Sequence, residues 1–346
     1  MDAPPPPRRR GSIALKLGFL ALPARERRLY IEEVASRRDV SPVVVEKDFW
    51  VSWFLALLFR SECADALVFK GGTSLSKVFG AIDRFSEDID LSLSPAFAGI
   101  DGPTATPTRT QADLWMARAQ KACGEAVAER ISPALATLAR KEFGAGIARR
   151  LAPEGDGTTL LFKYPSVLPS GFDYLQRSVR LEFGSLTDQQ PTGRHPVRPW
   201  LAESLPEAFA DWSCEVVALD AERTFWEKAT ILHVEHHRPA DRPMPDRYSR
   251  HYADLAMLAS HPTVGRAVDR TDLCERVVRW KQRFFASAWA RHDLARRGSF
   301  RLLPATPRVE ALRRDYAAMR DMYLAPPPSF DEVLATLARL EERINA

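Results

Sequence analysis

Between residues 70 and 91 the chain reads KGGTSLSKVFGAIDRFSEDIDL, and this stretch decides the fold. A short apolar run from Ala66 to Phe69 precedes the glycines and is typical of a β-strand. Gly71-Gly72 breaks that run, and a short helix is expected from Ser74 to Phe79. Residues 89–93 then alternate apolar and polar side chains at the period of a strand. The stretch therefore predicts a strand, a glycine turn, a short helix and a second strand.

The second strand carries two aspartates, Asp88 and Asp90, whose side chains point to the same face of a sheet. Ile89 and Leu91 point to the opposite face and into the core. Two carboxylates held so close repel each other, and a divalent cation between them removes that repulsion. The pattern therefore predicts that Asp88 and Asp90 are catalytic residues that hold Mg²⁺ or Mn²⁺. The plain alternative is an ordinary D-x-D pair on a solvated strand.

The glycine turn upstream predicts a cradle for a nucleoside triphosphate. Glycines let a backbone approach a ligand closely, and the start of the following helix offers unpaired N–H groups to a phosphate. Hydroxyl and ammonium side chains within the same run are placed to help. The predicted nucleotide-binding residues are Gly71, Gly72, Thr73, Ser74 and Lys77. Taken alone, a Gly-Gly pair is usually only a turn.

The remainder of the chain divides into three parts by composition. Residues 1–24 are rich in Pro and Arg and are expected to form a flexible arm. Residues 25–212 are expected to form an α/β domain of the α+β kind; its other helices and strands are expected near 25–37, 41–59, 111–143, 159–164 and 178–183. From about Glu215 the β character fades, and residues 213–346 are expected to be mainly helical. Helices in this part are expected near 220–236, 249–260, 271–287, 308–323 and 330–344.

Composition limits the classes of protein to be considered. At 346 residues and 45% hydrophobic, the chain can bury a substantial core. Its longest apolar run, Val51 to Phe59, is far shorter than the roughly 20 residues that span a bilayer. The four cysteines are widely separated, which predicts neither a disulfide framework nor a zinc site. We therefore expect a cytoplasmic protein without a membrane segment.

Together with three further motifs, the central stretch resembles the AbiEii/AbiGii toxin family of the polymerase-β-type nucleotidyltransferase superfamily. Members of that family carry K-G-G-T-S-L-x-K followed by R-F-S-E-D-I-D-L, found here at residues 70–77 and 84–91. The resemblance extends to EKDFW at 46–50, ERTFWEK at 222–228 and RHYADL at 250–255. It implies a nucleotidyltransferase domain with a mixed sheet, followed by a mainly helical C-terminal domain.

The resemblance also implies site residues outside the central stretch. Lys228 and Asp254 correspond to active-site positions of related toxins, where the lysine would neutralise triphosphate charge and the aspartate would orient that lysine or the acceptor hydroxyl. Glu182 lies on a strand where many nucleotidyltransferases have a third metal-binding carboxylate. The plain alternatives are a Lys228 that extends to solvent, an Asp254 paired with Arg250, and a Glu182 paired with Arg180.

The function implied by the resemblance is metal-dependent transfer of NMP from an NTP to an RNA acceptor. In the family the acceptor is tRNA, extended at its 3′ end so that translation stops, and the toxin has an antitoxin partner in toxin–antitoxin and phage-defence systems. The net charge of +4 supports an RNA acceptor only weakly, because three arginines lie within the first ten residues. Two alternatives stay open: transfer to a small molecule or a protein hydroxyl, and a non-catalytic module that binds nucleotide or antitoxin.

Overall fold

The computed structural model describes residues 19–104, 106–169, 176–209, 212–262 and 264–346. Most of the arm that the sequence predicts for residues 1–24 lies outside these ranges. Within them the chain begins with Phe19 and Leu20, which are both buried, and its first long helix begins at Ala24.

A seven-stranded mixed sheet forms the centre of the N-terminal part. Its strands are β1 (Leu67–Lys70), β2 (Asp88–Leu93), β3 (Leu151–Glu154), β4 (Thr159–Lys163), β5 (Ser178–Gly184), β6 (Thr192–Val197) and β7 (Cys214–Leu219). Their order across the sheet is β3-β4-β5-β2-β1-β7-β6. β2 pairs antiparallel with β1 and parallel with β5, β1 pairs parallel with β7, and the remaining neighbours are antiparallel. The predicted α/β fold with a mixed sheet is confirmed.

Helices account for most of the remaining regular structure. They are α1 (Ala24–Arg38), α2 (Pro42–Leu58), α3 (Gly71–Lys77), α4 (Arg109–Ala126), α5 (Ser132–Phe143), α6 (Ala145–Ala148), α7 (Trp200–Ser204), α8 (Pro206–Phe209), α9 (Ala221–His236), α10 (Ser249–Ser260), α11 (Thr271–Phe284), α12 (Val309–Ala318) and α13 (Phe330–Asn345). The last five make the C-terminal part mainly helical, as predicted.

α2 is buried along nearly its whole length because its own apolar residues occupy every face of the helix. It begins at Pro42, within one residue of the start expected for the helix near 41–59, and proline is well suited to the first position of a helix. Its Trp50, Trp53 and Phe54 pack with Phe162 of β4, and the ring centroids of Phe54 and Phe162 lie 4.7 Å apart. This aromatic cluster fills the core beneath the sheet.

β2 is the strand on which the site depends, and its two faces differ. Ile89, Leu91 and Leu93 are completely buried. Asp88 and Asp90 occupy the alternate positions and are only partly buried. This is the alternation that the sequence predicts, and it directs both carboxylates away from the core.

A second hydrophobic core lies in the helical part. Trp226 of α9, Tyr252 of α10 and Phe330 of α13 belong to it. Leu75 of α3 and Ile82 of the following loop also belong to this core, although they come from the N-terminal half of the chain. The segment between the glycine turn and β2 therefore joins the sheet to the helices.

Three strands differ from the sequence predictions. β7 contains Glu215 at its second position, so the prediction that β structure fades there is wrong. β3 and β6 are edge strands that contain Pro153 and Pro196, respectively. An edge strand tolerates proline, but a proline in the sequence argues against a strand, so the sequence predicts neither strand. β7 lies beyond the predicted domain boundary at residue 212 and still joins the sheet, while the division into domains stays a prediction.

Two helices also differ from the predictions. The helix expected at 111–143 consists of α4 and α5, which a π-helical turn at Val127–Ile131 joins. The helix expected from Ser74 to Phe79 begins earlier, at Gly71. Gly71 has a φ of 78° and makes the turn by itself, so the helix follows the strand directly.

All four cysteines are buried free thiols. In the part of the chain that the structure describes, no helix has both the length and the apolar character needed to cross a membrane.

We predict that Phe54→Ala lowers the free energy of unfolding by about 3–5 kcal/mol, because it removes a ring from a close-packed core and leaves a cavity. Phe54 is 1% exposed. Leu29→Ala is the control, since Leu29 is 59% exposed and its loss should have little effect. Urea denaturation of both variants measures the difference, and equal stabilities would contradict the described core.

Candidate active site

Asp88 and Asp90 lie at the start of β2, and the sheet register shows what surrounds them. Asp90 lies between Lys70 on β1 and Glu182 on β5. Asp88 lies beside Arg180 on β5. Paired positions on neighbouring strands share a face of the sheet. The three carboxylates that the sequence predicts for a metal therefore occupy one face.

The surroundings of Asp88 and Glu182 disfavour the charged form of both side chains. Burial raises the pKa of Asp88, and the neighbouring Asp90 and Glu87 raise it further. Burial also raises the pKa of Glu182, with additional repulsion from Asp90 and Asp88. Nearby cations offset only part of these effects. A cation bound among these groups would reduce their repulsion.

Glu182 also has the partner that the plain alternative predicts. Arg180 Nε lies 3.5 Å from Glu182 Oε1, and another guanidinium nitrogen lies 3.1 Å from Glu154. The Arg180 and Glu182 side chains are 43% and 42% exposed, which makes the ion pair a weak one. Both the ion pair and a role toward a metal are therefore compatible with this position.

The chemistry of Asp88 and Asp90 fits a hard divalent cation, because Mg²⁺ is commonly held by one or two carboxylates together with substrate phosphates. Among the residues that the structure describes, no group of three or more His, Cys, Asp or Glu side chains is arranged to hold a metal. Gly71 adds a geometric argument: a Cβ there would lie 2.0 Å from Asp90 Oδ2. The glycine backbone therefore lies directly against a carboxylate of the pair.

The next residues of the turn are tied to their surroundings in different ways. A Cβ at Gly72 would come within 2.8 Å of a guanidinium nitrogen of Arg84. Thr73 Oγ1 donates a hydrogen bond to the backbone carbonyl of Asp88, which joins the turn to β2. Ser74 is buried, and its Oγ has no hydrogen-bond partner among the described residues. The roles of these residues toward a nucleotide stay predictions.

Lys77 lies at the end of α3 and is 7% exposed. Its ammonium donates to Asp48 Oδ1 at 2.6 Å and to the carbonyl of Arg198 at 2.7 Å. Asp48 also accepts a hydrogen bond from the backbone N–H of Trp200 at 2.7 Å. These contacts tie α3 to α2 and α7. The binding of phosphate by Lys77 stays a prediction.

Lys228 and Asp254 meet in the interior of the protein. Lys228 Nζ lies 2.7 Å from Asp254 Oδ2, and Arg84 Nε and Nη2 lie 2.7 and 2.8 Å from the two oxygens of Asp254. Although burial opposes ionisation, Arg84 and Lys228 hold the pKa of Asp254 well below its usual range. The buried partners of Asp254 are therefore Arg84 and Lys228 rather than Arg250, and Lys228 does not extend to solvent.

Arg84 and Lys47 lie within motifs, but the sequence patterns predict no role for them. Lys47 is 1% exposed and donates to Glu87 Oε2 at 2.5 Å, next to Asp88. One signal in the sequence could have found it: Glu46, Lys47 and Asp48 interrupt an apolar helix, and buried charges require partners. Arg84 gives no comparable signal, because its partner Asp254 is distant in the sequence.

We predict that Gly71→Ala weakens Mn²⁺ binding by a factor of about 10 to 100, because the new methyl group displaces Asp90. Gly99→Ala is the matched control: its φ is 76°, and a Cβ there meets nothing within 4 Å. Both variants should lose about 1–3 kcal/mol of stability through backbone strain. Titration with Mn²⁺, followed by electron paramagnetic resonance, measures the affinity of each variant for Mn²⁺ and distinguishes Gly71→Ala from the control. Unchanged Mn²⁺ affinity in Gly71→Ala would contradict a metal-binding role for Asp90.

We predict that Lys77→Met destabilises the protein by about 3–5 kcal/mol, since it leaves Asp48 buried without a cation. Adding Asp48→Asn should restore much of that loss. Lys121→Met is the control, because the Lys121 side chain is 80% exposed and pairs with Glu125 at 3.7 Å in solvent. Denaturant unfolding and NTP binding are measured on all variants. Weaker NTP binding at unchanged stability would instead support the nucleotide-binding role.

Comparisons with known proteins identify the family of this chain. A family model described as the nucleotidyl transferase AbiEii toxin of a type IV toxin–antitoxin system matches residues 53–336. No curated protein matches the chain. One similar solved structure is MenT4, a nucleotidyltransferase toxin from Mycobacterium tuberculosis H37Rv, with a TM-score of 0.47, 18% identity, and coverage of 91% of this chain and 88% of that chain. Because the family model covers most of the sequence, the chain belongs to the AbiEii family of nucleotidyltransferase toxins of type IV toxin–antitoxin systems.

Proposed function

We propose that this nucleotidyltransferase holds Mg²⁺ or Mn²⁺ with Asp88 and Asp90 and transfers NMP from an NTP to the 3′ end of a tRNA, which blocks translation. The observation that carries the catalytic part is the approach of the Gly71 backbone to Asp90, where no side chain could fit. A glycine turn next to two carboxylates lets the phosphates of a nucleotide come close to a shared metal.

In the proposed step, the 3′-hydroxyl oxygen of the acceptor attacks the α-phosphorus in line, and the bond from that phosphorus to the bridging oxygen breaks. The leaving group of this step is pyrophosphate. Glu182 is the proposed acceptor of the hydroxyl proton, because a carboxylate with a raised pKa is a stronger base. A bound divalent cation would supply Lewis acidity for the phosphoryl oxygens and offset charge on the leaving group.

Lys228 is the proposed cation for the departing pyrophosphate, and Asp254 fixes the position of its ammonium. The 2.7 Å hydrogen bond between them supports this division of roles. Asp254 accepts hydrogen bonds at both oxygens, so we assign it no role as a base. The proposed contacts to the triphosphate are Gly71, Gly72, Thr73, Ser74 and Lys77.

Exposed arginines support a polyanionic acceptor. Arg149, Arg296, Arg297 and Arg314 are exposed, and none of them forms an ion pair within the described parts of the chain. Unpaired guanidinium groups of this kind bind nucleic-acid phosphates, and such binding weakens steeply as salt rises. A tRNA acceptor offers phosphates to such arginines, whereas a small-molecule acceptor does not need them.

We predict that Asp88→Ala and Asp90→Ala each abolish transfer to tRNA without lowering the melting temperature, because removing one of two repelling carboxylates relieves repulsion. The assay incubates each variant with total tRNA and each labelled NTP in turn. Asp101→Ala, which removes an exposed carboxylate outside the site, is the control and should keep full activity.

Growth of expressing bacteria and sequencing of their tRNA 3′ ends complete the test. Wild type should arrest growth and add nucleotides to tRNA, whereas Asp90→Ala should do neither. Arrest by both chains with unaltered tRNA ends would contradict the catalytic explanation and favour a binding mechanism. Labelling of a small molecule or a protein, with unlabelled RNA, would contradict the tRNA acceptor while keeping the transferase.

A further inference from the structure

Arg84 is buried at the junction of the glycine turn, the helical part and the segment that precedes β2. It is 3% exposed, and its guanidinium forms a two-point ion pair with Asp254, which is completely buried. Lys228 binds the same carboxylate through Oδ2. The Asp254 carboxylate therefore pairs with two cationic side chains, Arg84 and Lys228, and its Oδ2 accepts a hydrogen bond from each.

The guanidinium of Arg84 also lies over the glycine turn. A Cβ at Gly72 would approach Arg84 Nη2 to 2.8 Å and Ser86 Oγ to 2.9 Å. A glycine at this position is thus required to admit Arg84, apart from any role toward phosphate. Arg84 links the turn that carries the proposed nucleotide contacts to the carboxylate that holds Lys228.

The backbone around Arg84 is fixed as well. Residue 84 forms a β-bridge with Tyr323, Phe85 N–H donates to the Met322 carbonyl at 2.7 Å, and Leu324 N–H donates to the Asp83 carbonyl at 3.1 Å. These bonds pair residues 83–85 with residues 322–324, between α12 and α13. The backbone of Arg84 is therefore held independently of Asp254, which allows the side chain to orient that carboxylate from a fixed base.

We propose that Arg84 is a positioning residue of the active site, which fixes the orientation of Asp254 so that Asp254 holds the Lys228 ammonium in place. This inference rests on the proposed function for the role of Lys228. The two-point geometry matters, because a guanidinium fork fixes the orientation of a carboxylate, whereas an ammonium is a single flexible charge. A purely structural arginine would support folding without affecting Lys228.

A small cavity beside Arg84 makes chemical rescue possible. It has a volume of about 160 Å³, and Arg84, Thr73, Ser86 and Trp200 are among the residues that line it. Truncation in Arg84→Ala would enlarge this cavity into the space left by the guanidinium. Methylguanidinium can then enter and form the missing pair with Asp254, while an equal concentration of sodium chloride cannot.

The experiment compares Arg84→Ala, Arg84→Lys and the control Arg308→Ala. Arg308 is also a buried arginine; it binds the carbonyls of Pro239 and Arg242 at 2.7 Å and lies 3.6 Å from Glu235. For Arg84→Ala we expect kcat to fall by a factor of about 10 to 100 with little change in KM for NTP. Methylguanidinium should restore much of kcat, and Arg84→Lys should retain part of it. Arg308→Ala should lower only the melting temperature and should not respond to methylguanidinium.

A second measurement does not depend on transfer activity. The rate at which acetic anhydride acetylates Lys228, followed by mass spectrometry, should rise several-fold in Asp254→Asn, which removes the carboxylate partner of the ammonium. It should also differ from the wild-type rate in Arg84→Ala, which leaves that carboxylate without its two-point ion pair. Arg308→Ala should leave that rate unchanged. The proposal is wrong if Arg84→Ala keeps both the wild-type kcat and the wild-type rate of Lys228 acetylation. It is also wrong if the kcat of Arg84→Ala falls only in proportion to the folded fraction and does not respond to methylguanidinium. Full activity in Asp90→Ala would instead contradict the proposed function, and the acetylation rates would still decide the role of Arg84.

Discussion

Repulsion between Asp88 and Asp90 is the constraint around which the site is arranged. Two carboxylates at alternate positions of one strand must face the same way, and burial and Glu87 make ionisation of Asp88 harder still. The strand keeps its place because Ile89 and Leu91 are fully buried on its other face. Hydrophobic packing, not attraction among the polar groups, therefore holds the carboxylates together and leaves them available to a cation.

α2 connects the region around Asp88 and Asp90 to the core, because its sequence places three consecutive charged residues in an otherwise apolar helix. Glu46 accepts hydrogen bonds from Ser166 Oγ at 2.6 Å and Val167 N–H at 2.7 Å, Lys47 pairs with Glu87, and Asp48 pairs with Lys77. These charges are 1–3% exposed, so each would be costly without its partner. A shift of α2 by one residue would break all three pairings. The charges thus fix the helix relative to the site.

The sequence predicts those parts of the fold in which local pattern and packing agree. β2, α2, α9 and α10 lie where alternation, helix start signals and helical periodicity place them. β3 and β6 are not predicted because their strand structure depends on pairing with neighbouring strands, and their prolines oppose strand structure locally. β7 is also missed, because its strand state depends on pairing with β1 and β6 on either side.

The same distinction applies to the site. The shared face of Asp88 and Asp90 follows from strand geometry alone, and the resemblance to a known family supplies Lys228 and Asp254. No local pattern could reveal that Lys77 pairs with Asp48 or that Arg84 pairs with Asp254, because those pairs join residues 29 and 170 positions apart. Contacts of that range depend on the whole tertiary structure.

Leu75 and Ile82 have a consequence for the length of the chain and for its folding. They lie between the glycine turn and β2, yet their side chains fill the core of the helical part. An insertion or deletion between them would either move Asp88 away from Gly71 or withdraw apolar side chains from that core. A fragment that ended before α10 would lack the members of this core that α10, α11, α12 and α13 contribute. The segment that sets the spacing between Gly71 and Asp88 therefore also supplies side chains to the helical core, so a change in its length would act on both parts of the protein at once.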